Sequence, residues 1–487
     1  MQIPTKSFRD LSNGIIQKVD NVIAPPNSVP FAMNLMFSEI LGRGVVREGT
    51  ALIGVQIADG KEILGIHQFI LSSGTKHFLA VVNGASTSAL WRLVDGSPNT
   101  WTTESQTGAK DVKHRFLTYL DTVMVLDGTN KYGSADGDTW VSTGGNLDLA
   151  NCPAGKFAIE WHDKVFVAGV AAARDTLYYS STPSGGAISW TSGNGSITIE
   201  PFEGQGAISG LGKVPGYLLI FKERALKRWN GSSTFPDDLS TLGTPSHESI
   251  VNGKRTCFFF SASGKKSIGF YETNGEETRK ISRPIQSIVE AISSSTYANV
   301  AGYSDGEIVM WSIGDIAYDG ITYNNVVSLY HIDSKTWALL SFPTEFKVFC
   351  SYIDGTTLKI AAGNADGEII EIFTGEKDNY TSNSNVSIQF AIQYHPQEFG
   401  SRGNLKEIQK AVPYVNDGIS TKFAVRVDEK DKFEEKGPAN DPFESEITID
   451  ENGHIFEFRM FGAGLGGITQ VIGFDVLSPD ISESIKK

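Results

Sequence analysis

Two short runs have the residue types and spacing of ligand-holding sites. Gly462, Gly464 and Gly467 form a G-x-G-x-x-G run, the pattern that lets a backbone approach a pyrophosphate. That chemistry needs a strand before the run, a helix after it and a βαβ unit around both. Here another strand-like run, 468–476, follows the glycines. A Gly-rich bend is expected and no cofactor. Asn364, Asp366 and Glu368 place three oxygen donors close together, as a Ca²⁺ loop does. The bidentate Glu that closes such a loop downstream is missing, so a hairpin turn is expected instead. The eight histidines, at 67, 77, 114, 162, 247, 331, 395 and 454, form no HxxxH or HExxH pair, and there is no GxSxG element. Cys152, Cys257 and Cys350 are far apart and odd in number, which argues against a disulfide framework or a zinc site. The sequence therefore predicts no enzyme: no catalytic residue, no cofactor-binding residue and no metal ligand.

Several carboxylates have a backbone reason for their positions. They recur in Asp-Gly and Asn-Gly pairs, among them Asp59-Gly60, Asp95-Gly96, Asp127-Gly128, Asp305-Gly306, Asp319-Gly320 and Asp366-Gly367. Such pairs favour tight turns. Ser134-Ala135-Asp136-Gly137-Asp138-Thr139-Trp140 resembles the Asp-box of sialidases but is one residue short. The box is a β-turn device, so even a full match implies no catalysis.

These turns punctuate short strand-like runs. The clearest unit is 206–231, where an apolar run at 217–221 is long enough for a doubly buried strand and too short for an ordinary helix. Asn230-Gly231 closes that unit as an expected type I′ turn. Similar runs at 78–82, 122–126, 164–168, 257–260, 326–331 and 358–362 predict a repeated β-meander. Eight tryptophans recur along it, at 91, 101, 140, 161, 190, 229, 311 and 337. One large aromatic per sheet packed against the next sheet is what a propeller requires. The fold class is all-β: a β-propeller of about five to seven blades with an N-terminal extended arm and a C-terminal β-sandwich. The expected division is an arm over 1–50, a propeller over 51–380 and a sandwich over 381–487. The polar stretch 381–385 marks the second boundary. The arm either packs on its own chain or inserts into a neighbouring subunit, and its removal is expected to leave a soluble propeller. The charged stretch 428–441 is read as a solvated loop.

The net charge of −14 over 487 residues disfavours a chain-wide nucleic-acid or anionic-membrane binder and leaves room for a local basic patch. The first residues carry no signal-peptide pattern and no run has the length of a membrane span. Synthesis in the cytoplasm without membrane insertion is expected.

The order of features resembles the β-propeller proteins of short-tailed phage tails, the nozzle or tail tubular proteins related to packaged-DNA stabilisation proteins. Pro25-Pro26, Asn34, Phe37, Gly42 and Val46-Arg47-Glu48-Gly49 resemble the family's opening, with its N-x-x-F element and R-x-G turn. His162 to Gly169, then Tyr178-Tyr179-Ser180 and Trp190, resemble one blade. The run through Leu219, Ile220, Phe221, Lys222, Glu223 and Arg224 resembles the next, and the stretch around Asn274-Gly275 and Ile281-Ser282 the one after. Trp337, Gly363, Asp366-Gly367 and the strand at Lys406 resemble the propeller's end and the domain behind it. The family's Asp-Asp-Gly after the last blade reads Lys377-Asp378-Asn379 here. The resemblance covers more than 350 residues, by the numbering of these motifs. It implies a structural virion protein: a nozzle or hub subunit in a homo-oligomeric, hexameric ring around the DNA exit channel. It further implies contacts with adaptor and tail fibre proteins, and genomic DNA that passes during ejection without specific binding. The acidic stretch 428–441 and Asp237-Asp238 are candidates to line that path. The alternative from another class is a carbohydrate-binding or sialidase-like propeller, which should show several full Asp-boxes and a cluster of separated arginines.

Overall fold

The structure is a computed structural model, and it describes residues 5–17, 25, 27–38, 42–94, 100–199, 205–380, 385–399, 405–418, 420–428, 430, 432–438 and 446–481. Asp95-Gly96, Pro26, positions 381–384 and parts of the stretch 428–441 lie outside the described residues.

Seven small antiparallel sheets follow one another along the chain, over residues 63–108, 115–134, 157–198, 208–240, 251–280, 301–341 and 346–372. Within each, consecutive strands pair in sequence order. The first strand of each sheet lies beside the first strand of the next, and the seventh returns to the first. The chain is thus a seven-bladed β-propeller, at the upper end of the expected count. Gln68 of blade 1 closes the ring: its amide donates to the Ile353 carbonyl of blade 7 at 3.0 Å and accepts from the Ile353 N–H at 2.7 Å. Blade 7 is completed by a strand from before blade 1. Thr50–Leu52 pairs antiparallel with Ile369–Ile372 and parallel with Asp378–Asn379.

Alternation explains how one strand serves two interfaces. In Cys257–Ser261, Cys257 and Phe259 face blade 4, whereas Phe258 and Phe260 join the core toward blade 6. This is the period of two expected of a strand buried on both faces. Each of the other blade interfaces has its own apolar cluster. Tryptophan is not the uniform spacer the sequence implied. Blades 5 and 7 have none and use Phe258, Phe260, Phe270 and Phe346 in its place.

The run at 208–231 forms the expected meander, but its last turn differs from the expected type I′. Gly231 has a positive φ and Asn230 does not. The Asn230 carboxamide oxygen instead accepts from the N–H groups of Ser232 and Ser233. Asp319-Gly320 does have two positive φ values, and it closes a two-residue hairpin with Tyr318 opposite Ile321.

The remaining strands make two larger sheets outside the propeller. One contains Leu35–Ser38, Arg43–Val46, Gln470–Ile481, Lys406–Asn416 and Ile447–Gly453, with Thr5–Phe8 added to Gln470–Ile481. The other orders Phe31–Met33, Ile388–Gln393, Phe456–Gly464, Lys422–Val427 and Glu434–Pro438. Phe474 of the first sheet packs against Phe423 and Phe458 of the second, at 5.2 and 4.9 Å between ring centroids. The arm expected over 1–50 is therefore no separate element. It packs on its own chain, where its strands belong to both sheets. Phe31, Leu35 and Val46 share one apolar core with blades 5 and 6, and the partly buried Phe8 packs against it. Among the described residues no helix is long and apolar enough to cross a membrane.

Candidate functional site

The motifs singled out by chemistry are held in turns. In the shortened Asp-box the Asp136 carboxylate accepts from the N–H groups of Asp138 and Thr139 at 2.9 and 2.6 Å, and from the Ser134 hydroxyl. Burial pushes this carboxyl up, but the N–H bonds of Thr139 and Asp138 outweigh it and bring it down to about 2. Asp305 and Asn274 make the same turn, each accepting from the N–H groups two and three residues on. Asn364 accepts from the N–H groups of Asp366 and Glu368, which fits a hairpin rather than a cation loop. Among the described residues no group of three or more His, Cys, Asp or Glu is placed to hold a metal.

Folding also assembles a constellation that sequence spacing did not show. Ser88, His114 and Asp127 meet between blades 1 and 2. The Ser88 hydroxyl lies 3.1 Å from His114 Nε2, and Asp127 lies 3.4 Å from the same nitrogen. A Ser-His-Asp relay needs the two partners on opposite ring nitrogens. Here Nδ1 faces the Val112 carbonyl instead, and all three side chains are buried. Burial pushes the Asp127 carboxyl up, yet hydrogen bonds from His114, Asn130 and the Ala109 N–H hold it below the usual carboxylate range. The cluster is a staple between blades.

The residues of the N-x-x-F and R-x-G elements meet in a second constellation, where the two-sheet body joins the propeller. Arg47 is 1 % exposed. Its Nη1 and Nη2 donate to the two Asp378 carboxylate oxygens at 2.9 and 2.8 Å. Its Nε donates to Asn34 Oδ1, and the remaining N–H groups reach the carbonyls of Glu48 and Ser341. All five guanidinium donors are thus used, and the Phe342 ring lies 4.1 Å below. Asn34 in turn accepts from the Ser341 N–H and donates to the Gln389 carbonyl. One arginine therefore ties together the N-terminal strands, blade 6 and the segment that leaves blade 7.

The glycines around the joint have a packing reason. A Cβ on Gly49 would lie 2.0 Å from the Lys377 carbonyl oxygen, and one on Gly466 would lie 2.6 Å from that of Arg47. The G-x-G-x-x-G run is thus part of the joint, where its Gly467 N–H donates to the Val46 carbonyl. In the sequence, Arg47, Asp378 and Gly466 belong to separate motifs. Nothing in their spacing could pair residues 331 positions apart.

Two candidates for an acidic DNA-facing wall are tied up differently than expected. Glu434–Pro438 is an edge strand rather than a solvated loop. Glu434 pairs with Lys436 and Glu435 with Lys422. Asp238 pairs with the buried Lys227 in the outer strand of blade 4.

No protein-family model matches the chain, and no curated protein matches it. Among solved structures, YCF48 bound to D1 peptide aligns over 66 % of this chain and 94 % of its own, at 10 % identity and a TM-score of 0.41. The Pan2 WD40 domain of Neurospora crassa aligns over 69 % of this chain and 97 % of its own, at 8 % identity and a TM-score of 0.39. The propeller assignment rests on the seven sheets of this chain and their closure.

Proposed function

We propose that this protein is a structural subunit of a phage tail, a nozzle or hub component that assembles with itself into a ring around the DNA exit path. The observation that carries this reading is the Asn34–Arg47–Asp378 joint. It includes residues on which the resemblance to tail propellers rests, and it ties a second body to the propeller. A ring subunit under load needs such a joint, because relative movement of its two halves would change every subunit contact. The turn-bound carboxylates and the buried Ser88–His114–Asp127 staple support a scaffold role in the same way. A head-to-tail contact that closes on itself gives a ring, and a hexamer is the state the resemblance implies.

The test is the mass of the full-length species, alone and mixed with its adaptor and fibre partners, by light scattering and electron microscopy. Rings of one stoichiometry are expected. A chain that stays monomeric with all partners present overturns the reading.

A further inference from the structure

Blade 6 carries a hairpin longer than its neighbours, Ile308–Tyr318 and Ile321–His331, whose tip reaches the outer face of the second large sheet. Tyr318 and Tyr323 of the hairpin pack on Phe31 of that sheet at 4.3 and 4.9 Å between ring centroids. Beside this contact the two elements leave a cleft of about 500 Å³, lined by Arg426, Lys432, Phe433, Arg459 and Phe461, with Ala424 among them. The volume lies within the usual range for small-molecule sites.

The two arginines of the cleft are treated differently. Arg426 is held by two carboxylates, with two bonds to Asp319 at 3.0 Å and two to Glu457 at 3.2 and 2.7 Å. Arg459, on the neighbouring strand, has no carboxylate partner among the described residues. Its Nη2 donates to the Tyr323 hydroxyl at 2.7 Å, and its Nε is buried without a partner. Phe433 and Phe461 flank it at 5.9 and 5.7 Å from ring centroid to guanidinium carbon. A half-buried guanidinium beside two rings, with donors that no described carboxylate takes up, is suited to receive a planar oxyanion. Lys432 adds a second positive charge at the cleft, and none of the described carboxylates pairs with it. Asp319 and Glu435 also line the cleft. Each is already paired, with Arg426 and Lys422, but a carboxylate has about four lone-pair sites and can still accept from hydroxyl groups.

We propose that this cleft binds an acidic sugar, a carboxylate-bearing pyranose. Its carboxylate meets Arg459, its ring packs against the exposed edges of Phe433 and Phe461, and its hydroxyls donate to Asp319 and Glu435. The hydroxyl acceptors favour a sugar over a simple carboxylate, and a guanidinium with no described carboxylate partner favours an acidic sugar over a neutral one. The site is independent of whether the chain forms a ring.

The experiment titrates the full-length protein with glucuronic acid, N-acetylneuraminic acid, glucose, acetate and a short peptide with a free C-terminal carboxylate, read by calorimetry and ligand-observed NMR. At least one acidic sugar should bind roughly tenfold or more tightly than glucose and acetate, the discrimination expected when a buried charged donor is matched or left unmatched. Arg459→Gln should abolish that preference, and Phe433→Ala, at a half-exposed position, should weaken binding with the melting temperature retained. Arg459→Lys provides a charged control if the glutamine variant folds poorly, and it should retain part of the preference. Equal binding of glucose and acidic sugars, no binding of either, or affinity unchanged in both Arg459→Gln and Phe433→Ala overturns the proposal. Binding of the peptide alone also overturns it and assigns the cleft to a protein terminus.

Discussion

The propeller and the two-sheet body are both all-β, yet they are built in opposite ways. Apart from the strand Thr50–Leu52 that completes blade 7, the blades pair strands that follow one another directly, joined by short turns such as that between Thr122–Leu126 and Lys131–Ser134. The two-sheet body pairs Thr5–Phe8 with Gln470–Ile481 and Phe31–Met33 with Ile388–Gln393. Its strands come from both ends of the chain, and the whole propeller is the loop between them. Closing such a loop costs entropy before any contact forms, although the cost grows only slowly with length. What compensates is a continuous core that runs from Phe474 and Phe458 through Phe31 to Trp311 and Phe270 of blades 5 and 6. The difference teaches that the blades are local units, whereas the second body depends on the propeller to bring its two halves together.

The strongest way to break this comparison is to remove residues 1–46. The deletion takes Phe8, Phe31, Leu35 and Val46 from the shared core and unpairs strands in both large sheets. A chain without a cooperative transition for the second body, and with a lowered melting temperature for the propeller, is expected in calorimetry and limited proteolysis. A soluble propeller that melts like the full-length protein would show that the two cores are separable.

A smaller and sharper test is Arg47→Ala. It leaves Asp378 buried without its cation, a change that costs about 3–5 kcal/mol at buried pairs. Arg47→Lys keeps the charge but loses the bidentate fork and should fall between. If denaturant unfolding gives the alanine variant the stability of the unchanged protein, the joint does not couple the two regions.

The smallest expected effect is on acid stability. His395 belongs to the second body, where it is buried beside Ser28. Burial holds its imidazole down to about 4, below the ordinary value of 6.5. The unfolded chain then binds a proton that the folded chain does not, so stability falls as pH drops from 6.5 toward 4. One such group contributes up to about 1.4 kcal/mol per pH unit across that window. His395→Gln should flatten the pH dependence of unfolding by that amount; an unchanged slope would mean the imidazole is protonated in the fold.

Much of the propeller was legible because its determinants are local. The runs at 122–126 and 164–168 coincide with strands, since a doubly buried strand reads as an unbroken apolar run. Outer strands such as Thr102–Gly108 escaped notice, because an exposed edge needs no apolar residues. The turn at Asn230 was placed correctly and its type misread, because the side chain rather than the backbone sets it. The site was less legible: Arg47 and Asp378 each stood out, but only as members of separate motifs.

By itself, the sequence determined the turns, the period of two and the succession of small sheets, since each depends on residues within one hairpin of each other. Tertiary structure alone decided that Thr5–Phe8, Phe31–Met33, Leu35–Ser38 and Arg43–Val46 share sheets with strands such as Ile388–Gln393 and Gln470–Ile481, that Arg47 closes on Asp378, and that Arg459 lines a cleft with no described carboxylate paired to it. Those outcomes depend on which distant surfaces meet. Pairing energy between residues hundreds of positions apart leaves no trace in local spacing, because any register that buries the same apolar faces satisfies the same pattern.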